Sequence, residues 1–278
     1  MKVIRAKHAG ACYGVQRALD MALEAASRRG PVYTLGPLIH NPGVVESLAE
    51  QGVAVVEDVS GLKDGVIIIR SHGVTPDARA MLDASELEVV DATCPHVSRA
   101  QKAAAQLARE GCRVIVVGEK GHPEVEGLMA CASGEGAKVD VVSNPDEVPS
   151  DLFSPIGIVV QTTQRRENLD AVLDRIEALG ITPQVKNTIC TATTHRQDAA
   201  KKLAGGVDAM VVIGGRNSSN TTRLAEICNQ ACGCAYHVES VGELDPAWFS
   251  SCDTVGVTAG ASTPEAQINA VVEYLESL

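Results

Sequence analysis

The segment ATCPHVSRAQKAAAQLAREG, residues 92–111, begins with a short polar stretch and a cysteine and continues as an Ala-rich helical pattern. Two further stretches have the same form: GACYGVQRALDMALEAA at residues 10–26 and ICTATTHRQDAAKKLAGG at residues 189–206. Repetition of this kind indicates one structural unit that occurs three times. An arginine follows each cysteine after five or six residues, and the pairs are Cys12 with Arg17, Cys94 with Arg99, and Cys190 with Arg196.

A second polar landmark lies 28 residues after each of these cysteines. It is His40 in PLIHNPGVVESL, His122 in GHPEVEGLM and Ser218 in GRNSSNTTRLAEI. Three equal spacings are hard to obtain by accident. The spacing therefore supports a threefold repeat and predicts that these three loops occupy equivalent places in it.

A third landmark follows a further apolar run in each unit, at offsets of 60, 68 and 72 from the leading cysteine. It is His72 in IIIRSHGVTPDA, Thr162 in GIVVQTTQRREN and Ser262 in VGVTAGASTPEA. Helical patterns with apolar positions three and four apart come next. Each unit is thus predicted to run strand, cysteine, helix, strand, polar loop, helix, strand, polar loop, helix. This alternation indicates an α/β fold with parallel sheets.

The landmarks are all predicted at the carboxyl ends of strands, where ligands bind in parallel sheets and helix N-termini point their N–H groups. Three sheets related by approximate threefold symmetry would aim all nine landmarks at one central point. The three cysteines would then meet on the axis. The predicted surrounding residues are His40, His72, His122, Thr162, Ser218, Ser219, Asn220 and Ser262.

This set of side chains suits an iron–sulfur cluster and an anion. Cysteines 82 and 96 residues apart do not fit zinc-finger spacing, and a structural zinc would want a fourth ligand. A cluster held by three cysteines leaves one iron without a thiolate, open to a substrate oxygen. The surrounding histidines, hydroxyls and amide can hold a phosphate through charge-assisted hydrogen bonds.

Composition limits the other possibilities. The 278-residue chain is 45% hydrophobic but only 3% aromatic and has a net charge of −11, so it offers neither base-stacking platforms nor a basic track for nucleic acid. Its longest apolar runs are too short for a membrane span, and the first residues have no secretory pattern, so we expect a cytoplasmic protein. The other six cysteines, including the CxC at Cys232 and Cys234, are interpreted as packing residues.

The motifs ACYGV, LIHNP, RSHGV, DATCP, GHPEVEG, QTTQ, NTIC, NSSN and AGAS occur in this order along the chain. In this respect the sequence resembles the 4-hydroxy-3-methylbut-2-enyl diphosphate reductase family. The resemblance implies three α/β domains in a trefoil around a 4Fe-4S cluster, and we place them at residues 1–94, 95–190 and 191–278. It also implies the last step of the non-mevalonate isoprenoid pathway, in which an allylic hydroxyl is reductively removed to give isopentenyl and dimethylallyl diphosphate. An electron-donor protein such as ferredoxin or flavodoxin is implied as the partner.

The resemblance also implies roles for individual residues. Cys12, Cys94 and Cys190 match the cluster ligands, Glu124 matches the proton donor, and Thr162 matches the threonine that fixes the substrate hydroxyl. Thr191, where a bulkier aromatic is expected, and Pro42 depart from the family pattern. The residues that match the diphosphate-binding set are His40, His72, His122, Ser218, Ser219, Asn220 and Ser262.

Two other functions remain open from the residues themselves. A metal-free phosphate-sugar enzyme would use the same hydroxyl and histidine loops, but it has no need of three matched cysteines. A non-catalytic iron–sulfur sensor needs the cysteines but not Glu124, Thr162 or the NSSN loop. Glu126 is interpreted as a solvated or helix-capping carboxylate. Surface or supporting roles are expected for His8, His96, His195 and His237.

Overall fold

The computed structural model describes residues 1–28 and 30–278. Short strands alternate with helices from the first residues onward. In the described part of the chain up to residue 91, the elements are β1 (Lys2–Arg5), α1 (Tyr13–Ala26), β2 (Val32–Leu35), α2 (Pro42–Glu50), β3 (Val53–Val56), β4 (Val66–Ile69), α3 (Pro76–Asp83) and β5 (Glu88–Asp91).

The same succession continues twice more. The elements up to residue 186 are α4 (Pro95–Arg109), β6 (Arg113–Val117), α5 (Pro123–Ser133), β7 (Val139–Val142), β8 (Ile156–Val160), α6 (Arg166–Glu177) and β9 (Gln184–Lys186). The remaining ones are α7 (Thr191–Ala204), β10 (Ala209–Ile213), α8 (Ser219–Cys232), β11 (Ala235–Val238), β12 (Thr254–Ala259) and α9 (Glu265–Glu276). No helix among the described residues has the length and apolarity needed to cross a bilayer.

The described strands form three sheets of four, and every pairing within them is parallel. The strand orders are β3-β2-β4-β5, β7-β6-β8-β9 and β1-β12-β10-β11. The predicted α/β fold class with three parallel sheets is therefore confirmed. The sheets share one order when equivalent strands are compared, which is the pattern that a threefold repeat requires.

The structure differs from the predicted order of elements in two respects. Each sheet gains an outer strand that was not predicted, namely β3, β7 or β11. These strands have only four residues, and most of their side chains are partly or fully exposed. A run as short as VAVV in β3, or one interrupted by Asp140 in β7 or His237 in β11, is too short for periodicity to identify it as a strand. In addition, β1 pairs with β12, from Lys2 opposite Thr254 to Arg5 opposite Val257. The first strand of the chain therefore completes the sheet of the third repeat.

The described residues group into two compact units. One comprises residues 1–16, 39–47 and 191–278, and the other comprises residues 17–38 and 48–190. The second unit contains two complete sheets and the first contains one. The division into three domains at residues 94 and 190 stays a prediction.

The inner strands supply the aliphatic core of each sheet. All residues of β4, β6, β8 and β10 are buried, as expected for strands covered by helices on both faces. Alanines of α4 bring this helix close to β6 and β8, where Gly157 leaves room for Leu107. An added Cβ at Gly157 would lie 2.9 Å from Leu107 Cδ2. In a chain with few aromatic residues, the core is thus filled by aliphatic and small side chains that let helix and sheet approach closely.

In each sheet a glycine lies directly after one of the two inner strands, β2, β6 or β10, and positions the second landmark. The N–H groups of Gly36, Gly118 and Gly214 each donate to the last residue of the outer strand beside them, at 2.8, 3.0 and 3.0 Å. The landmark side chain follows four residues later in all three cases. The equal spacing found in the sequence therefore corresponds to one repeated strand-to-helix turn.

Candidate active site

Each repeat cysteine lies between the end of an outer strand and the start of a helix. Its backbone N–H donates to a carbonyl in the loop after the neighbouring strand, which is the loop of the third landmark. The three bonds run from Cys12 to Ala261 (3.1 Å), from Cys94 to Ser71 (3.0 Å) and from Cys190 to Thr162 (2.9 Å). The backbone thus ties each cysteine to the polar loop beside it.

The three repeat cysteines occupy equivalent places in the fold. Cys12, Cys94 and Cys190 are half-buried free thiols, and α1, α4 and α7 begin at the residue after each of them. Elsewhere in the chain, burial raises the pKa of Cys228 to about 12 and also raises the pKa of Cys131. A thiol kept protonated is a poor metal ligand, so the surroundings of Cys228 and Cys131 support their packing role.

Glu124 is a buried acid held at the start of α5. The residue is 2% exposed. The Thr162 N–H donates to Oε1 at 2.6 Å, and the Thr162 hydroxyl donates to Oε2 at 2.8 Å. Thr162 follows β8, which pairs with β6, the strand before α5. Two neighbouring strand ends therefore fix both oxygens of one carboxylate in a buried place, whereas Glu126, two residues further on, is exposed.

His122 caps the same helix. Its Nδ1 accepts a hydrogen bond from the Glu124 N–H at 3.1 Å, and Pro123 occupies the first helical position, where its missing N–H costs nothing. The His72 ring meets the His122 ring edge to face, with centroids 5.6 Å apart. Two of the predicted diphosphate-binding histidines are therefore brought together beside Glu124 within one compact unit.

The N-terminus of α8 presents neutral polar groups. Ser218 caps the helix and accepts from the Thr221 N–H at 3.4 Å, and Ser219 and Asn220 form the first turn. Asn220 is 3% exposed, and among the described residues neither its Oδ1 nor its Nδ2 has a hydrogen-bond partner. Buried amides in native proteins are normally satisfied, so this group is suited to a bound ligand. The helix N-terminus favours an anionic one.

Two glycines let α8 approach the strand ends closely. Thr221 is fully buried between Gly214, which follows β10, and Gly260, which follows β12. An added Cβ would lie 2.9 Å from Thr221 Oγ1 at Gly214 and 2.0 Å from it at Gly260. The N–H groups of the first turn thus sit at the carboxyl edge of the sheet because these positions carry no side chain.

Asn41 is a site residue that the sequence reasoning missed. Its Nδ2 donates to the Ser262 carbonyl at 2.9 Å, and the Ser262 hydroxyl donates to the His40 carbonyl at 3.0 Å. Its Oδ1 accepts from the Val44 N–H at 3.3 Å, which caps α2. An Asn directly before a Pro that starts a helix is a capping signal, and it could have identified this residue. Pro42, noted above as a departure, is that first helical residue.

The predicted site residues divide between the two compact units. Cys94, Cys190, His72, His122, Glu124 and Thr162 lie in the unit with two sheets. Cys12, His40, Ser218, Ser219, Asn220 and Ser262 lie in the unit with one sheet. Each unit by itself gathers its residues at the carboxyl ends of its strands. The convergence of all nine landmarks on one point stays a prediction.

Parallel sheets that carry thiols, a buried acid and an unsatisfied amide at the carboxyl ends of their strands define an α/β enzyme. Within that class the chain belongs to the LytB protein family, whose family model matches residues 3–276. The chain is 50% identical over 279 residues to the 4-hydroxy-3-methylbut-2-enyl diphosphate reductase of Geotalea uraniireducens, covering 100% of this chain and 98% of that protein. The protein of the same name from Geobacter sp. strain M21 is 50% identical over 280 residues, with the same coverage. The predicted family, and an oxidoreductase as the enzyme class, are confirmed.

Solved structures give the same result. The structure of (E)-4-hydroxy-3-methyl-but-2-enyl diphosphate reductase, the terminal enzyme of the non-mevalonate pathway, matches with a TM-score of 0.73 and 42% identity over 100% of both chains. The E-1-hydroxy-2-methyl-but-2-enyl-4-diphosphate reductase of Plasmodium falciparum matches with a TM-score of 0.92 and 27% identity, over 99% of this chain and 87% of that one. The likeness extends over essentially the whole chain.

Proposed function

We propose that this protein reductively removes the allylic hydroxyl of 4-hydroxy-3-methylbut-2-enyl diphosphate, giving isopentenyl and dimethylallyl diphosphate as the last step of the non-mevalonate pathway. The assignment of this substrate is supported by membership of the LytB family and by full-length relatives that are named as this reductase. The observation that carries the chemistry is Glu124, a buried carboxyl group with Thr162 bonded to both of its oxygens. The nine free cysteines support a reducing compartment, the cytoplasm.

Cys12, Cys94 and Cys190 are the proposed ligands of a 4Fe-4S cluster. Thiolates are the ligands that such clusters take, and each of these half-buried thiols lies at a helix N-terminus, whose N–H groups favour anions. The donor set therefore fits the group. When bound, the cluster would supply electrons and, at its iron without a thiolate, a Lewis acid. A protein donor such as ferredoxin or flavodoxin is the proposed source of the two electrons.

Glu124 supplies a proton to the departing oxygen. Breaking the C–O bond would release hydroxide, a poor leaving group, unless a proton arrives at that oxygen. The oxygen then leaves as water, and the organic product takes up two electrons and the second proton. Thr162 can accept a hydrogen bond from a protonated Glu124 while it donates to the substrate hydroxyl, since a hydroxyl does both. General acid catalysis of this kind contributes about 10²- to 10⁴-fold in rate.

The diphosphate is assigned to the polar helix starts and loops. The unsatisfied amide of Asn220 and the N–H groups of α8 suit phosphate oxygens, and the edge-to-face pair of His72 and His122 adds donors beside Glu124. Binding at one end of the substrate would place its hydroxyl end for reaction. The full proposed set is His40, His72, His122, Ser218, Ser219, Asn220 and Ser262.

Anaerobic purification followed by iron, sulfide and turnover assays tests the proposal. Cys12→Ser should deplete iron and abolish turnover of the allylic diphosphate with a small-molecule reductant, because no thiolate replaces the lost ligand. Cys228→Ser, at a fully buried position in the core, is the matched control and should keep both. Full iron content and turnover in Cys12→Ser would contradict the assignment.

The same assays separate the two alternatives. A metal-free phosphate-sugar enzyme would keep its activity when an iron chelator is added. A non-catalytic sensor would hold the cluster and show no turnover. Iron-dependent loss of the allylic hydroxyl is the result that only the reductase predicts.

A further inference from the structure

We propose that Arg17 and Arg196 are positioning residues that hold the cysteine-bearing loops in the geometry needed to retain the cluster. Each arginine follows the cysteine of its own repeat, yet its guanidinium bonds to the loop before the cysteine of another repeat. The inference rests on the proposed function, because it assigns these arginines a role toward the proposed cluster.

Arg196 holds the loop before Cys12. It lies on α7, and its side chain is buried, with 4% exposure of the residue. One guanidinium nitrogen donates to the Gly10 carbonyl at 2.7 Å, and the other donates to the Ala192 carbonyl at 3.3 Å. Gly10 has a φ of +104°, which a residue with a side chain rarely adopts, so the loop has a defined path two residues before the thiol.

Arg17 makes the equivalent contact with the loop before Cys94. It lies on α1, and its two terminal nitrogens donate to the carbonyls of Thr93 and Asp91, both at 3.3 Å. Thr93 directly precedes Cys94, and Asp91 ends β5. The first repeat therefore holds the cysteine loop of the second, just as the third repeat holds that of the first.

Arg99 occupies the same position in the second repeat but does not make this contact. It is exposed, and its guanidinium lies 2.8 Å from His96 Nδ1 in its own helix. Among the residues that the structure describes, it makes no hydrogen bond to the loop before Cys190. Arg99 is therefore a natural control: it lies five residues after its cysteine, as Arg17 does, but lacks the bond to the loop of another repeat.

The physical reason for the role is the permanence of the guanidinium charge. Arginine stays protonated in proteins, so its bond to a carbonyl is charge-assisted at any working pH. A neutral replacement of Arg196 too short to reach the Gly10 carbonyl leaves that buried oxygen without this bond and lets the loop move. Residues that orient the ligands of a metal typically change metal affinity by about 10- to 100-fold when replaced.

The test compares cluster retention in Arg196→Gln, Arg17→Gln and Arg99→Gln. Each variant is purified anaerobically, and the loss of the iron–sulfur absorption band to a chelator is followed together with iron and sulfide content. Arg196→Gln should lose its cluster about 10- to 100-fold faster than the wild type. Arg17→Gln should show a smaller acceleration, because both of its bonds are 3.3 Å long whereas Arg196 bonds the Gly10 carbonyl at 2.7 Å. Arg99→Gln should match the wild type. Arg196→Lys, which keeps a cationic donor, should recover part of the loss.

The rates of cluster loss are compared at the same number of degrees below the thermal unfolding midpoint of each variant. A general loss of stability therefore does not change the comparison. Equal retention in Arg196→Gln and Arg99→Gln, with a wild type that holds its cluster, would overturn this inference and leave the proposed function standing. A wild type that assembles no cluster under reconstitution would overturn both.

Discussion

The N-termini of α5 and α8 occupy equivalent places in two repeats, but one carries a carboxyl group and the other carries an amide. Helix α5 follows β6 and Gly118, and α8 follows β10 and Gly214. Each helix is capped by the second landmark, His122 in α5 and Ser218 in α8. In the first turn of α5 lies Glu124, whose two carboxylate oxygens are both bonded to Thr162. In the first turn of α8 lies Asn220, whose amide has no hydrogen-bond partner among the described residues.

On the proposed function, the repeated turn would serve two steps of one reaction. A buried carboxyl group with both oxygens bonded is held at one place, which suits the proposed proton transfer from Glu124. A buried amide without a partner gains its hydrogen bonds only when a ligand arrives, so it is prepared to bind. The backbone is shared between the two turns, and the side chains of the first helical turn decide the role.

The largest effect is expected at the acid. Glu124→Gln keeps the shape of the side chain but removes its proton, so kcat should fall by about 10²- to 10⁴-fold. KM should stay within a few-fold, and the iron content should be unchanged. Single-turnover and steady-state assays under saturating reductant measure both constants. Glu126→Gln, exposed in the same turn, is the control; an inactive Glu126→Gln beside an active Glu124→Gln would show that the wrong carboxylate has been assigned.

Both turns could be located from the sequence because the 28-residue spacing reports a repeated strand-to-helix connection. The outer strands β3, β7 and β11 could not be located in this way. Each has only four residues, apolar throughout in β3 but interrupted by Asp140 in β7 and by His237 in β11, and so short a run shows no periodicity that separates a strand from a loop. The pairing of β1 with β12 was also missed. It joins the two ends of the chain, and no local pattern records such a contact.

The side-chain contacts show the same limit. The position of Thr162 at a strand end follows from the repeat, but its bonds to Glu124 depend on β6 and β8 being neighbours in the sheet. Asn41 has a readable capping signal, yet its bond to the Ser262 carbonyl joins segments that are far apart in the chain. A sequence pattern therefore predicts where polar groups lie along the chain, while strand order decides which of them meet.

A smaller effect, on binding and not on the chemical step, is expected at the other helix start. Asn220→Ala should weaken binding of the diphosphate substrate by about 10- to 150-fold, because a hydrogen bond to a charged group contributes about 1.5 to 3 kcal/mol. Turnover at saturating substrate should change little. Asn217→Ala is the matched control, since Asn217 is exposed in the same loop. If kcat fell and KM did not, Asn220 would belong to the chemical step and the contrast between the turns would fail.

The close approach of α8 to the strand ends can be tested without replacing a proposed binding residue. Gly260→Ala places a Cβ 2.0 Å from Thr221 Oγ1, so the helix start must shift, and overpacking of this kind costs about 1 to 3 kcal/mol in the free energy of unfolding. Gly118→Ala before α5 is less crowded, with Val125 Cγ2 at 2.7 Å, and should cost less. Denaturant unfolding of both variants measures the difference. An unchanged midpoint for Gly260→Ala would show that close approach of α8 is not required.

The smallest effect concerns the cap of α8, where two replacements separate stability from binding. Ser218→Ala removes the oxygen that accepts from the Thr221 N–H, and loss of an N-cap costs about 0.5 to 2 kcal/mol in the free energy of unfolding. The bond is long, at 3.4 Å, so the lower part of that range is expected. Ser218→Gly should cost only a few tenths, because glycine is itself tolerated at this position.

Both replacements remove the same hydroxyl, so both should weaken diphosphate binding alike if Ser218 contacts the substrate. Chemical denaturation and substrate titration on the two variants provide the measurements. Should affinity instead follow stability, with Ser218→Gly binding as tightly as the wild type, the hydroxyl would serve the helix alone. The start of α8 would then bind its ligand through Ser219, Asn220 and the backbone N–H groups.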